Sequence, residues 1–182
     1  MSKNKVFCLG MSRTGTKSFA VGMEKLGYKS LHNGGMPLSV KQLNEYEAFS
    51  DTNTCMFYYE DLYNKYSDAK FVLSYRDPKE WANKIVNWYN PRHKISYIHW
   101  HLKNEYISSK DTEEELADFC QWQYDTAVNF FSDKKDSFIT HSVFKGDTFQ
   151  PIAEFLGVEL KEDFSVYLKD ESVKNNSYAN LR

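Results

Sequence analysis

The feature that most constrains this chain is Gly10-Met11-Ser12-Arg13-Thr14-Gly15-Thr16-Lys17-Ser18, set between two apolar stretches of different period. Val6, Phe7, Cys8 and Leu9 before it read as a buried strand. Phe19, Gly22, Met23 and Leu26 after it recur at i, i+3, i+4 and i+7, the helix period. A strand, a Gly/Ser/Thr loop and a helix start together make a holder for an anion. Backbone N–H groups converge, the helix N-terminus is partially positive, and Arg13 and Lys17 bring full charges. Thr14, Thr16 and Ser18 add hydroxyl donors for phosphate or sulfate oxygens.

Gly10 and Gly15 have the separation of the Walker A pattern G-x-x-x-x-G-K-S/T, but Thr16 follows the second glycine and Lys17 comes one place late. One residue at a helix start is about 100° of rotation, so Lys17 points away from where a Walker lysine points. The loop is like Walker A without being one. The plain alternative is a turn in which Thr16 or Ser18 only caps the helix. Such a turn has little use for two cations among several hydroxyls.

At 182 residues the chain is long enough for one domain, residues 1–182, with a sizeable core. A net charge of −2 argues against general binding to nucleic acid or a membrane surface, so any anion site is local. Cys8, Cys55 and Cys120 are isolated, which points to neither a disulfide framework nor a zinc site and fits a reducing compartment. No secretory h-region and no apolar run near the ~20 residues of a membrane span is present, so a soluble cytoplasmic protein is expected.

The second strong signal is Lys70 to Pro78. Phe71, Val72 and Leu73 predict a central strand, Asp77 a helix cap and Pro78 the first helical position. Trp81, Ile85 and Trp88 then mark a buried helical face. Arg76 therefore stands at the C-terminal end of a strand, where open α/β sheets bind ligands. Its unspecific alternative is an ion pair with a nearby acid. Ser137–Thr140 reads as a third strand, and Tyr28–His32 as a short extended segment leading to an Asn33–Pro37 loop. Residues Val40–Phe49 read as weakly helical, Phe49–Asn53 as a turn, and Met56–Tyr66 as one helix. Asn90 to about Asp136 reads as helical, with a break near Ser108–Asp111, and is rich in aromatics. These are taken chiefly as core, with some available to line an acceptor pocket. Asp147 or Thr148 is expected to cap a last helix that Gly157 stops. The repeated strand–loop–helix order predicts parallel strands with right-handed crossovers.

With these residues placed, the chain resembles the P-loop-like sulfotransferases that use 3′-phosphoadenosine 5′-phosphosulfate (PAPS), most closely the small branch with a G-x-x-R-T-G-T-x-S loop. Gly10–Ser18 matches that 5′-phosphosulfate loop, and Ala69–Pro78 with Trp81 resembles the 3′-phosphate segment A-K-F/V-I/V-L-x-x-R-D-P-x-x-W. Lys145-Gly146-Asp147 through Glu154–Val158 resembles the C-terminal element G-D-x-W/F-x-P-L/I-x-x-F-L-G-V. The resemblance implies a three-layer α/β fold with a central parallel sheet, P-loop NTPase-like, with a helical cap or acceptor region at about 90–136. It implies PAPS as donor and PAP as product, bound by Ser12, Arg13, Thr14, Gly15, Thr16, Lys17, Ser18 and Arg76 without metal. Where family members often carry Ser eight residues after that arginine, this chain has Lys84, a point charge for the same phosphate.

Sulfuryl transfer asks for positioning and neutralisation of charge on the leaving 5′-phosphate, work for Arg13, Lys17 and the loop amides. The acceptor, a small molecule or glycan with a hydroxyl or amine, must lose a proton to a base. His32 and Asp51 each resemble a residue the small branch carries in those regions, with His32 expected as that base and Asp51 as its orienting partner or its replacement. An ordinary His needs no pKa shift for the task and an Asp does. Two rival readings stand beside this one: an Mg²⁺-dependent small-molecule kinase, disfavoured by a cation at the Arg76 strand end, and a catalytically silent nucleotide-binding module.

Overall fold

The computed structural model describes residues 4–90, 93, 95–103, 109–160 and 162–165. In chain order these form β1 (Val6–Cys8), α1 (Thr16–Lys25), β2 (Ser30–Gly35), α2 (Val40–Glu45), β3 (Ala48–Thr52), α3 (Asn53–Phe57) and α4 (Tyr59–Lys65). There follow β4 (Lys70–Ser74), α5 (Pro78–Trp88), α6 (Tyr97–Lys103), α7 (Glu113–Phe130), β5 (Phe138–His141) and α8 (Gln150–Leu156). The five strands make one sheet in the order β2-β3-β1-β4-β5, every pairing parallel. From β1 the chain first builds β2 and β3 to one side, then crosses to build β4 and β5 on the other. That reversal opens a crevice at the C-terminal ends of the central strands.

Strand residues alternate between two cores, as the period of two requires. Phe7, Leu9, Phe49, Phe71 and Leu73 face α3, α4, α5 and α7, while Val6, Cys8 and Val72 face α1 and α8. Phe7 lies opposite Phe49 on β3 and Phe71 on β4, and its ring stacks on theirs at 5.1 and 5.5 Å. On the other side Gly22 lets Phe149 touch the backbone of α1, since a Cβ there would stand 1.9 Å from Phe149 Cζ. The sheet is thus sandwiched between helical layers, the three-layer α/β architecture expected.

Asp77 caps α5 by accepting from the N–H groups of Lys79 and Glu80, with Pro78 in the first turn, as the sequence implied. Leu116, Phe119, Cys120, Gln123 and Ala127 line the buried side of α7. That helix packs against α5, and among the described residues of 90–136 the short α6 contributes to the cavity wall. Four readings need correction. Phe49–Asn53 is no turn: Ala48–Thr52 is a buried strand between β1 and β2, and its short polar residues, turn-like in sequence, meet partners at the strand's C-terminal end. Asn33–Gly35 continues β2 across a register irregularity instead of forming a loop. The Met56–Tyr66 helix is two, broken at Tyr58, with Thr52 capping the first. Asp147 does not cap α8 either; it accepts from Ser142 N–H at 2.7 Å and closes the turn before it.

Candidate active site

The loop after β1 is pressed against the end of β4. A Cβ on Gly10 would lie 1.9 Å from Ser74 Oγ and 2.8 Å from the Ser74 carbonyl oxygen, so only glycine fits there. Thr14 turns inward: its hydroxyl donates to Met11 O at 2.7 Å and shares a 2.7 Å bond with Ser74 Oγ. Its side chain therefore closes the loop, leaving its backbone and neighbours to meet an anion. Gly15 takes a φ of 102° at the N-cap of α1, so the helix opens on a residue with no side chain to cap it. Trp81 Nε1 of α5 donates to Ser12 O at 2.8 Å, and Gln123 Nε2 of α7 donates to Leu9 O at 2.9 Å. Two buried side chains from the helical layer thus hold the loop's backbone in place.

Arg13 and Asp51 are the non-glycine residues with left-handed backbone among those described, at φ 72° and 53°. Such strain costs of order 1–3 kcal/mol each and clusters at functional sites. Here it turns Arg13 so that its guanidinium stacks over the Trp88 ring at 5.1 Å. At the end of β3 it places the buried Asp51 carboxylate between the loop and β2. Ser12 Oγ donates to Asp51 Oδ1 at 2.5 Å, and His32 Nε2 stands 3.4 Å from Asp51 Oδ2. His32 and Ser50 are register partners on neighbouring parallel strands, so their side chains share a face, and Nδ1 lies 3.1 Å from Ser50 Oγ. Burial holds the His32 imidazole below its ordinary value; Asp51 pulls it back up and the Lys17 ammonium pushes it down. Lys17, though exposed, is therefore close enough for its field to reach His32.

Arg76 follows β4 and reaches back to the loop, its Nη1 donating to Arg13 O at 3.4 Å. Its backbone N–H donates to Tyr124 Oη at 3.1 Å, and its guanidinium lies 4.3 Å from the Phe144 ring centre. The ion pair with an acid exists as well, but loosely, at 3.8 Å from Nε to Glu80 Oε2. That Nε is buried and makes no hydrogen bond. Lys84 stands exposed on α5, and among the described residues no contact joins it to Arg76 or the loop.

Between the loop, β2 and α6 lies a cavity of about 250 Å³, lined by Ser12, Gly34, Trp88, Tyr89, His93, Ile95, Tyr97, Trp100 and His101. Sequence reasoning left Ser50, Ser74, Tyr97, His101 and Gln123 unassigned. Each acts across an element boundary, and only the aromatic density before α7 hinted at the cavity wall. Among the described residues no group of three or more His, Cys, Asp or Glu could hold a metal ion, and no helix is long and apolar enough to cross a membrane.

The loop, the strained Asp51 and the arginine at the β4 end sit on one crevice of one parallel sheet. No curated protein matches the chain significantly. A model of the sulfotransferase domain does match, over residues 5–44 and 38–166, a span that includes every strand and every site residue named above. The chain belongs to the sulfotransferase domain family, whose reaction is sulfonyl transfer.

Proposed function

We propose that the protein transfers a sulfonate from PAPS to a hydroxyl or amine of a small-molecule or glycan acceptor. The observation that carries this reading is Arg76. A half-buried guanidinium at the strand end, touching the anion loop and held by an acid only through a loose 3.8 Å ion pair, is a donor set suited to an anion. Gly10 supports the same reading, because it lets the loop's backbone pack directly on the end of β4. When bound, PAPS supplies the sulfonate and a 5′-phosphate leaving group.

Loop amides from Ser12 to Ser18, with Arg13 and Lys17, neutralise charge on the sulfonate and the 5′-phosphate. Arg76 holds the 3′-phosphate, and Lys84 adds a point charge to it from α5. His32 with Asp51 forms the proton-accepting pair. Its lowered pKa keeps the imidazole neutral at pH 7, and the carboxylate beside it stabilises the imidazolium that forms. Ser12 is the member of this group that also lines the cavity, so its oxygen takes the acceptor's proton as its own proton passes to Asp51 Oδ1 and the carboxylate's other oxygen hands one to His32 Nε2. The S–O bond to the acceptor forms as the S–O bond to the phosphate breaks, and the electron pair stays on the phosphate oxygen of PAP.

A kinase reading would require Asp51, the carboxylate at a strand end, to serve Mg²⁺, yet both its oxygens are already engaged by Ser12 and His32. Calorimetry with PAP in EDTA, and with ATP and Mg²⁺, tests the choice. Tight metal-free PAP binding supports sulfonyl transfer from PAPS; tight ATP binding that needs Mg²⁺ overturns it.

A further inference from the structure

We propose that Phe144 is a positioning residue for Arg76: its ring fixes the plane of the guanidinium, and so sets the preference for a 3′-phosphorylated nucleotide over one without that phosphate. This rests on the PAPS reading and deepens it.

The first observation is how the segment after β5 is built. Tyr75 N–H donates to His141 O at 2.8 Å, and Ser142 Oγ donates to Tyr75 O at 2.7 Å. The residue before Arg76 is thus stapled to this segment at both its N–H and its carbonyl. Asp147 closes the turn: its carboxylate accepts from Ser142 N–H at 2.7 Å, and its own N–H donates to Ser142 O at 3.2 Å. Between these bonds Val143–Lys145 makes a single 3-10 turn. Backbone and capping bonds at both ends hold the side chains of Val143 and Phe144 in one place against the end of β4.

The second observation is what those two side chains touch. A Cβ on Gly15 would stand 2.9 Å from Val143 Cγ2 and 3.8 Å from Phe144 Cε2, so the pair packs on the N-cap of α1, with Val143 the closer. The Phe144 ring also carries Arg76, whose guanidinium carbon lies 4.3 Å from the ring centre. A cation over a ring face is attracted by the ring's quadrupole. Phe144 is half-buried and the Arg76 side chain is 17% exposed, so water screens this attraction less than on an open surface.

The polar contacts of that guanidinium are loose by comparison. Nη1 donates to Arg13 O at 3.4 Å and Nε stands 3.8 Å from Glu80 Oε2, both beyond the usual N–H···O distance of about 2.9–3.0 Å. A long side chain held by two weak contacts samples several rotamers, and each must be given up when a ligand binds. A ring beneath the guanidinium removes that freedom beforehand. Stacking occupies a face of the guanidinium, while a phosphate is met by the N–H donors at its edge, two at a time. The ring therefore orients the fork without competing for its donors. An aliphatic side chain fills similar space and offers neither a flat face nor a quadrupole.

The experiment is calorimetry on the full chain with PAP and with adenosine 5′-phosphate, which differ only by the 3′-phosphate. The wild type should bind PAP more tightly. Phe144→Leu and Phe144→Met keep apolar bulk and lose the ring, so each should weaken PAP roughly tenfold and change adenosine 5′-phosphate by less than about twofold. Phe144→Tyr keeps the ring and should bind both nucleotides as the wild type does. In an Arg76→Gln background, Phe144→Leu should cost PAP nothing further, since the ring acts only through the guanidinium. If the Leu and Met variants weaken both nucleotides alike or change neither, or if Phe144→Tyr loses as much PAP affinity as Phe144→Leu, the ring is packing alone. This inference then falls and the PAPS reading stands. If the wild type binds PAP no more tightly than adenosine 5′-phosphate, both fall.

Discussion

Ser12 Oγ donates to Asp51 Oδ1 at 2.5 Å, tying the anion loop after β1 to the end of the neighbouring strand β3. Both residues are buried, and the bond is charge-assisted, a class worth about 1.5–3 kcal/mol. It couples whatever the loop holds to the carboxylate beside His32. The loop and the proton-accepting pair are therefore one unit, although 39 residues separate them in sequence.

Ser12→Ala should accordingly destabilise the protein by about 1–3 kcal/mol and lower turnover, with PAP affinity nearly intact because the loop amides remain. A double-mutant cycle with Asp51→Asn should return a coupling of about 0.5–3 kcal/mol in urea unfolding. Additive single and double variants would mean that the bond carries no energy of its own.

Arg13→Glu and Arg76→Glu each reverse a charge at the proposed phosphate sites, and each should remove most PAP binding in calorimetry. The remaining affinity of the wild type should fall with added salt. Lys84→Ala should weaken PAP more than adenosine 5′-phosphosulfate, which lacks the 3′-phosphate. Equal losses would assign Lys84 to the surface alone.

His32→Ala should cut turnover by roughly 10²–10⁴-fold and spare PAP affinity. Burial lowers the His32 pKa from 6.5, so the acid limb of the pH–rate profile should fall below pH 6.5. An acid limb above that value would place the titrating base elsewhere, with Asp51→Asn as the next variant to assay.

Stability should also drop in acid. His32, His101 and His141 are held below the ordinary imidazole value chiefly by burial, His101 down to about 4. In that window the unfolded chain takes up the proton first, so stability present above pH 6.5 is lost as pH falls through it. At about 1.4 kcal/mol per unit, His101 alone contributes about 3 kcal/mol. Urea unfolding at about pH 7.5 and about pH 4.5 should show the fall, and His101→Gln should shrink it. A flat profile would contradict the buried neutral state.

Gly10→Ala would put a Cβ 1.9 Å from Ser74 Oγ and 2.8 Å from its carbonyl oxygen, so the loop must move. Overpacking of this kind costs about 1–3 kcal/mol. The variant should lose PAP affinity by more than it loses stability, because the displaced loop is the binding element. Unchanged PAP affinity in calorimetry would remove the loop from the site.

The sequence by itself determined the elements whose cause is local. Gly10–Ser18 between a strand and a helix, Asp77-Pro78 opening α5, and the helix-period apolar face of α7 are each written in adjacent residues. Capping, dihedral freedom and periodicity all act over a few positions. What only the tertiary structure decided was anything needing a partner from another strand. Ser50-Asp51-Thr52 reads as a turn in isolation, because short polar residues favour turns wherever nothing else competes for them. Placed between β1 and β2, the same residues become a buried strand whose hydroxyls and carboxylate are satisfied by His32, Ser12 and the N-terminus of α3. The roles of Gln123 and Trp81 were equally invisible. A buried aromatic or amide at helix spacing looks the same whether it only fills a core or also holds a loop's backbone. Which it does depends on how α5, α6 and α7 lie over the sheet, and that placement is set by packing of the whole core, not by any one segment.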